Sequence, residues 1–151
     1  MKALSIMQPW PDAILFLGKD IENRSWSTYH RGPLVIHASR GWDPKGEQFI
    51  RGLLFKGETL VDRDRRLDVR DADDWMKRSR ARRGAFLGLC WIVDVVECDE
   101  RLQQLNRWAF GPRCWLLGDG HQFPGPRAFK TPVPGLGRLQ LFDTEIKEDH
   151  E

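Results

Sequence analysis

The stretch that decides the fold lies in the first forty residues and consists of three segments. They read Ser5-Ile6-Met7-Gln8-Pro9-Trp10, Gly18-Lys19-Asp20-Ile21-Glu22-Asn23-Arg24-Ser25-Trp26 and Arg31-Gly32-Pro33-Leu34-Val35-Ile36-His37-Ala38-Ser39. Between the first two segments, apolar residues recur at helical spacing and stop at Gly18, a residue typical of helix ends. The pattern predicts a strand at 3–6, a helix at 10–17, and strands at 19–26 and 33–38.

The second segment carries the first candidate site. If it is a strand, Glu22, Arg24 and Trp26 lie on one face, because side chains alternate along a strand with period two. Lys19 stands just before them, after the glycine. A carboxylate, a guanidinium and an indole on one face suit a small polar ligand with a flat ring.

The composition narrows the class of protein. The chain of 151 residues is long enough for one domain with a real core, and its formal net charge is only +2. Cys90, Cys98 and Cys114 are too few and too scattered for a disulfide framework or a zinc site, so we expect reduced, largely buried thiols in a cytoplasmic protein. No run is apolar enough for a signal peptide or a membrane span, and nothing indicates a metal or another cofactor.

The rest of the chain alternates short strands with few helices. Helices are predicted at 42–55 and 71–80 with a helical turn at 100–106, and strands at 85–96, 114–117, 123–129 and 139–142. Many glycines and prolines between the short strands favour an α+β fold, a small β-barrel with peripheral helices. We expect a single domain at 1–144, followed by a polar tail at 145–151.

Within that domain, residues 56–83 form a strongly charged insertion. We expect it to be mobile at 56–70, because few apolar residues there can anchor it. Its arginines are interleaved with aspartates, which favours a solvated segment that compensates its own charge. The alternative is that the arginines at 78–83 contact a nucleic-acid backbone.

The N-terminal motifs resemble those of the ASCH domain, a branch of the PUA-like superfamily. The match to that family's Gly-x-Lys-x-x-Glu-x-Arg motif is Gly18, Lys19, Glu22 and Arg24, with the glycine one position closer to the lysine. The lead-in Gln8-Pro9-Trp10, the turn Arg31-Gly32-Pro33 and the strand at 36–39 are also similar, as are the stretches at 84–97 and 111–117. The resemblance covers most of the chain outside the charged insertion and the tail.

This resemblance implies a PUA-like barrel with a cleft for RNA or a modified nucleobase or nucleoside. Some ASCH members resemble single-stranded RNA nucleases, and others remove the acetyl group from N4-acetylcytidine. In those amidohydrolases a lysine, a threonine and a glutamate are held to carry the chemistry. Lys19 matches the lysine, whereas Glu22 stands at the position of the threonine. If the protein is a hydrolase, Lys19 and Glu22 are its candidate acid/base pair.

The remaining candidate residues would bind the ligand. Trp10 and Trp26 are candidates for stacking on a base, and Arg24 and Ser39 for hydrogen bonds in the cleft. We expect Lys19 to be exposed, since it follows the end of a helix. Three function classes stay open at this point: a binder of RNA or nucleosides, a hydrolase of acylated nucleosides or RNA, and a protein-interaction module that uses the charged insertion.

Overall fold

In the described residues, the fold is built from one large mixed sheet, a two-stranded sheet and four α-helices. The computed structural model describes residues 1–147. In chain order, the elements are β1 (Lys2–Gln8), α1 (Trp10–Phe16), β2 (Ile21–Arg24), β3 (Gly32–Trp42), α2 (Pro44–Phe55), β4 (Val61–Asp62), β5 (Arg65–Arg66), a 3-10 turn (Val69–Asp71), α3 (Ala72–Ala81), β6 (Ala85–Glu97), α4 (Glu100–Leu105), β7 (Arg113–Leu117), β8 (Arg127–Pro134) and β9 (Leu141–Asp143).

The strand order of the sheet is β2-β7-β6-β3-β1-β9, and β8 also pairs with β6. β1 and β3 run parallel, and the other pairs of this sheet are antiparallel. The α+β class is therefore confirmed. The pairing of the described strands does not join β2 to β9, so closure of the sheet into a barrel stays a prediction.

β6 is the central strand of the sheet. It pairs with β3 on one side, and on the other side first with β8 and then with β7. Gly88, a residue that usually weakens a strand interior, lies where the backbone of β8 approaches closely. A Cβ added there would lie 2.4 Å from the carbonyl oxygen of Arg127. The glycine therefore permits the close strand contact and does not end the strand.

The first forty residues follow the predicted order of elements, with different boundaries. Gly18 ends the first helical segment with a φ of +76°, a conformation that favours glycine. β3 continues to Trp42, which pairs with Gln8 of β1, so the helix predicted at 42–55 begins two residues later. Asp43 caps that helix by accepting a hydrogen bond from the backbone N–H of Lys45 at 3.0 Å.

The few apolar residues of the charged insertion do anchor it, whereas its expected mobility stays a prediction. Leu60 and Leu67 are 1% and 4% exposed, and they pack in one core cluster with Trp75 and Met76 of α3. These side chains cover the face of α2 that carries Ile50, which is also buried. The sequence hides this anchoring because single leucines separated by charged residues give no periodic signal.

The charges of the insertion are paired largely as expected. Arg65 contacts Asp71 at 2.7 Å and Arg80 contacts Glu47 of α2 at 2.7 Å. Arg82 Nε lies 3.1 Å from the buried carboxylate of Asp12 in α1. This last pair ties the end of the insertion to the first helix.

The packing of the chain continues past residue 144, where the sequence predicts the end of the domain. Ile146 is 8% exposed and packs in the cluster that contains Phe142 and Ala3. The backbone N–H of Thr144 donates to the carbonyl oxygen of Met1 at 2.9 Å, which brings the two ends of the chain together. The expected polar tail lies outside the described residues after Lys147. Within residues 1–147, no helix has both the length and the apolar character needed to cross a membrane.

Leu67→Ala should lower the free energy of unfolding by about 2–5 kcal/mol, because it leaves a cavity in the core cluster. The matched control is Val69→Ala in the same segment, since Val69 is 55% exposed. Urea denaturation of both variants measures the difference. Equal, small effects of the two substitutions would show that the insertion is only loosely attached.

Candidate functional site

A cleft of about 530 Å³ opens where β1, α1 and β2 meet the start of α2. This volume is within the usual range of small-molecule sites, roughly 300–1,000 Å³. Five of the six residues predicted to form a site line it: Trp10, Lys19, Glu22, Arg24 and Ser39. The sixth, Trp26, does not.

Lys19, Glu22 and Arg24 form a continuous ionic chain along one side of the cleft. Lys19 Nζ donates to Glu22 Oε1 at 3.0 Å and to the carbonyl oxygen of Ile21. Glu22 Oε2 accepts from Arg24 Nε at 3.0 Å. Arg24 Nη2 donates in turn to the carbonyl oxygen of Ser5 at 3.0 Å. The chain links the end of the first helical segment to β2 and β1, and it carries one net positive charge.

Lys19 is buried, so the expectation that it is exposed is wrong. Its exposed fraction is 2%, and its ammonium group lies 5.2 Å from the ring centroid of Trp10. The left-handed turn at Gly18 redirects the chain, and the backbone N–H of Lys19 still donates to the carbonyl oxygen of Ala13 at 3.1 Å. This turn places the side chain inside the fold, a position that spacing along the sequence does not reveal.

Glu22 is also buried, with an exposed fraction of 5%. Burial alone would raise the pKa of Glu22, but the charges of Lys19 and Arg24 and the hydrogen bonds they donate lower it below its ordinary value. Both carboxylate oxygens already accept from cations. Glu22 is thus held ionised, and its main effect is to fix the positions of two donors.

Three aromatic side chains form the opposite wall of the cleft. The ring centroid of Trp10 lies 6.1 Å from that of Phe49 and 5.8 Å from that of Phe110. The indole N–H of Trp10 donates to Asp43 Oδ2 at 2.7 Å, which fixes the plane of the ring. Gly46 of α2 lies directly against the indole of Trp10. A Cβ at position 46 would be only 2.8 Å from the ring, so the glycine makes room for it. Of these three aromatic residues, only Trp10 is predicted from the sequence to be a site residue.

Asn23 holds Phe110 in place. Its side-chain oxygen accepts from the backbone N–H groups of Phe110 and Gly111, both at 2.8 Å, and its amide nitrogen donates to the carbonyl oxygen of Trp108 at 2.9 Å. The loop before β7 is therefore tied to β2. Sequence reasoning missed this role, because the partners are more than eighty positions apart.

Trp26 has a packing role. β2 ends at Arg24, so the alternation that placed Trp26 beside Glu22 does not continue that far. Its ring lies 4.8 Å from that of Trp115 at an interplanar angle of 90°, and its carbonyl oxygen accepts from the indole N–H of Trp115 at 3.2 Å. The expectation that Trp26 shares the cleft is corrected accordingly.

Ser39 lies at one end of the cleft with an unused hydrogen-bonding group. Among the described residues, its buried Oγ has no hydrogen-bond partner. A buried hydroxyl without a partner costs free energy, so Ser39 is an incompletely satisfied polar residue in the lining of the cleft. The neighbouring His37 is fully satisfied: it lies 2.8 Å from Ser5 Oγ and 2.9 Å from the carbonyl oxygen of Gly135. It is a buried histidine with partners on both ring nitrogens.

Comparison with known proteins gives no assignment. No protein-family model matches the chain. A search of curated proteins also finds no significant match.

The ionic chain predicts strong coupling between Lys19 and Glu22. Lys19→Met should lower the free energy of unfolding by about 3–5 kcal/mol, because it removes one partner of a buried carboxylate. The double variant Lys19→Met/Glu22→Met should cost less than the two single substitutions together, since it removes both charges. Urea denaturation of the four proteins gives the coupling energy. Additive effects would show that the two charges act independently.

The lowered pKa of Glu22 predicts a pH dependence of stability. The unfolded chain binds a proton at Glu22 at higher pH than the folded chain does. The stabilisation is therefore present above the unfolded pKa and is lost as pH falls through the folded pKa. Between about pH 5 and pH 3, the free energy of unfolding should fall more steeply for the wild type than for Glu22→Gln. Parallel curves in urea titrations at several pH values would contradict this.

Proposed function

We propose that the protein is an ASCH-type domain with a PUA-like fold, whose cleft binds RNA or a modified nucleobase or nucleoside. One observation carries the proposal: a fixed row of cationic donors and a fixed aromatic wall line the same cleft. The resemblance of residues 18–24 to the ASCH motif supports it, because that motif supplies the donor row.

The aromatic wall suits a flat ring. Phe110 is 43% exposed although it belongs to an aromatic cluster with Trp10 and Phe49, so part of its surface remains open. Stacking of a base on such a side chain typically contributes about 1–3 kcal/mol. Because Asp43 and Asn23 hold the wall from behind, binding would require little further ordering.

The donor row determines which edge of the ligand faces it. Arg24 is partly exposed, and its Nη1 amino group has no hydrogen-bond partner in the part of the chain that the structure describes. Since Glu22 is occupied by its two cations, the free groups on this side are donors. The ligand should therefore present acceptors here, such as base carbonyl, acyl or phosphate oxygens.

The same contacts favour binding over hydrolysis. Lys19 acts as a donor to two oxygens, and Glu22 accepts from two cations. The two cations lower the pKa of Glu22, which makes its carboxylate a weaker general base. The contacts give little support to the alternative of a protein-interaction module that uses the charged insertion. Several cations of the insertion are already paired with its own carboxylates or with those of α1 and α2.

Phe110→Ala tests the proposal with limited effect on the core. It should weaken binding of nucleosides by roughly ten- to a hundred-fold, the loss of one stacking contact. Phe55→Ala is the matched control, because Phe55 is 84% exposed and lies outside the cleft. Calorimetric titration with a nucleoside panel that includes N4-acetylcytidine gives the affinities, and mass spectrometry of the same mixtures detects any product.

If Phe110→Ala and Phe55→Ala bound nucleosides with equal affinity, the cleft would be excluded as the binding site. Deacetylated product formed by the wild type would replace the proposed binder with a hydrolase. If no nucleoside or short RNA bound to the wild type, the proposed function would be wrong.

A further inference from the structure

A second groove, of about 460 Å³, continues from the cleft. The two share Ser5, Arg24 and Ser39, so the partner-free hydroxyl of Ser39 and the guanidinium of Arg24 lie at their junction. The wall of the groove is formed by the loop 135–140, which connects β8 to β9. The cleft and the groove are therefore adjacent, and these three residues lie at their boundary.

The groove is cationic. Besides Arg24, it is lined by Arg40 and Arg138, both exposed, and no carboxylate lines it among the described residues. Arg83 adds a further guanidinium nearby, since its Nη1 donates to the carbonyl oxygen of Arg40 at 3.2 Å. Neither Arg40 nor Arg138 forms an ion pair within residues 1–147. This arrangement contrasts with the charged insertion, where Arg65, Arg80 and other arginines have acidic partners.

The loop that forms the groove is held at its base. His37 Nε2 lies 2.9 Å from the carbonyl oxygen of Gly135, whose backbone N–H donates to the carbonyl oxygen of Gly84 at 3.2 Å. At Gly137 the backbone comes so close that an added Cβ would lie 2.5 Å from His37 Nδ1. These contacts fix the backbone next to Arg138, so the guanidinium of Arg138 stays near the groove.

We infer that the groove binds a phosphate group joined to the nucleoside in the cleft, with Arg40 and Arg138 as its ligands. The preferred ligand is therefore a nucleotide or a single-stranded RNA. A free nucleoside would occupy only the cleft and leave the groove empty. Guanidinium groups pair with phosphate through charge-assisted, often bidentate hydrogen bonds. A cationic groove beside an aromatic platform is the usual arrangement for single-stranded nucleic acid. This inference rests on the proposed function for the base, whereas the phosphate site can be tested alone.

The experiment compares three proteins: the wild type, Arg40→Gln/Arg138→Gln, and Arg66→Gln/Arg101→Gln. The last pair is the charge-matched control, because both of its arginines are exposed and lie outside the groove. Each protein is titrated with nucleosides, with their 3′- and 5′-monophosphates and with trinucleotides, by calorimetry at several salt concentrations. Inorganic pyrophosphate is titrated separately, with the arginine side-chain Nε–H signals followed by NMR.

For the wild type and the control, a phosphate should tighten binding roughly ten- to a hundred-fold over the nucleoside. The groove variant should lose this gain while it binds nucleosides normally, and its salt dependence should be shallower. A gain confined to monophosphates would identify a nucleotide as the ligand, whereas a further gain with trinucleotides would identify RNA. Both results support the inference.

An unchanged phosphate gain in the groove variant would overturn the inference and leave the proposed cleft intact. If pyrophosphate shifted the signals of Arg40 and Arg138 but no nucleoside bound, the inferred phosphate site would be supported and the proposed binding of nucleosides in the cleft would be wrong. If pyrophosphate, nucleosides, nucleotides and trinucleotides all failed to bind, both would be wrong.

Discussion

The structure around the cleft depends on one constraint: the carboxylate of Glu22 is buried and must be paired. Taking a charge out of water is costly unless cations and hydrogen bonds replace the solvent. Lys19 and Arg24 meet that requirement at 3.0 Å each. To do so, the chain turns sharply at Gly18, β2 presents Glu22 and Arg24 on one side, and Arg24 reaches the backbone of β1 at Ser5. A single charge requirement thus fixes three neighbouring parts of the fold.

The same constraint fixes the polar side of the cleft. The donors of Lys19 and Arg24 cannot move freely, because Glu22 holds both. The aromatic wall is fixed in a comparable way: Asp43 holds the indole of Trp10 while it caps α2, and Asn23 holds the backbone at Phe110. Buried polar contacts behind the cleft therefore already order the side chains that line it, so a ligand would not have to order them.

Charge is distributed unevenly over a chain whose net charge is close to zero. In the insertion, arginines alternate with aspartates and form local pairs, including Arg65 with Asp71 and Arg70 with Asp68. Near the cleft, by contrast, Arg40 and Arg138 line a groove without a carboxylate among the described residues. The charged insertion therefore contains several local ion pairs, whereas the positive groove is assembled from residues almost a hundred positions apart.

The sequence by itself determined the α+β class, the order of the first elements, and four residues of the ionic and aromatic site: Trp10, Lys19, Glu22 and Arg24. Strand alternation indicated Glu22 and Arg24, Lys19 follows the glycine stop, and Trp10 was a candidate because an indole can stack on a base. Tertiary structure alone decided that Lys19 is buried, that Trp26 packs on Trp115, and that Leu60 and Leu67 anchor the insertion. It also placed Phe49 and Phe110 beside Trp10. Burial and long-range contacts depend on how distant segments pack together, and spacing along the chain carries no record of that packing.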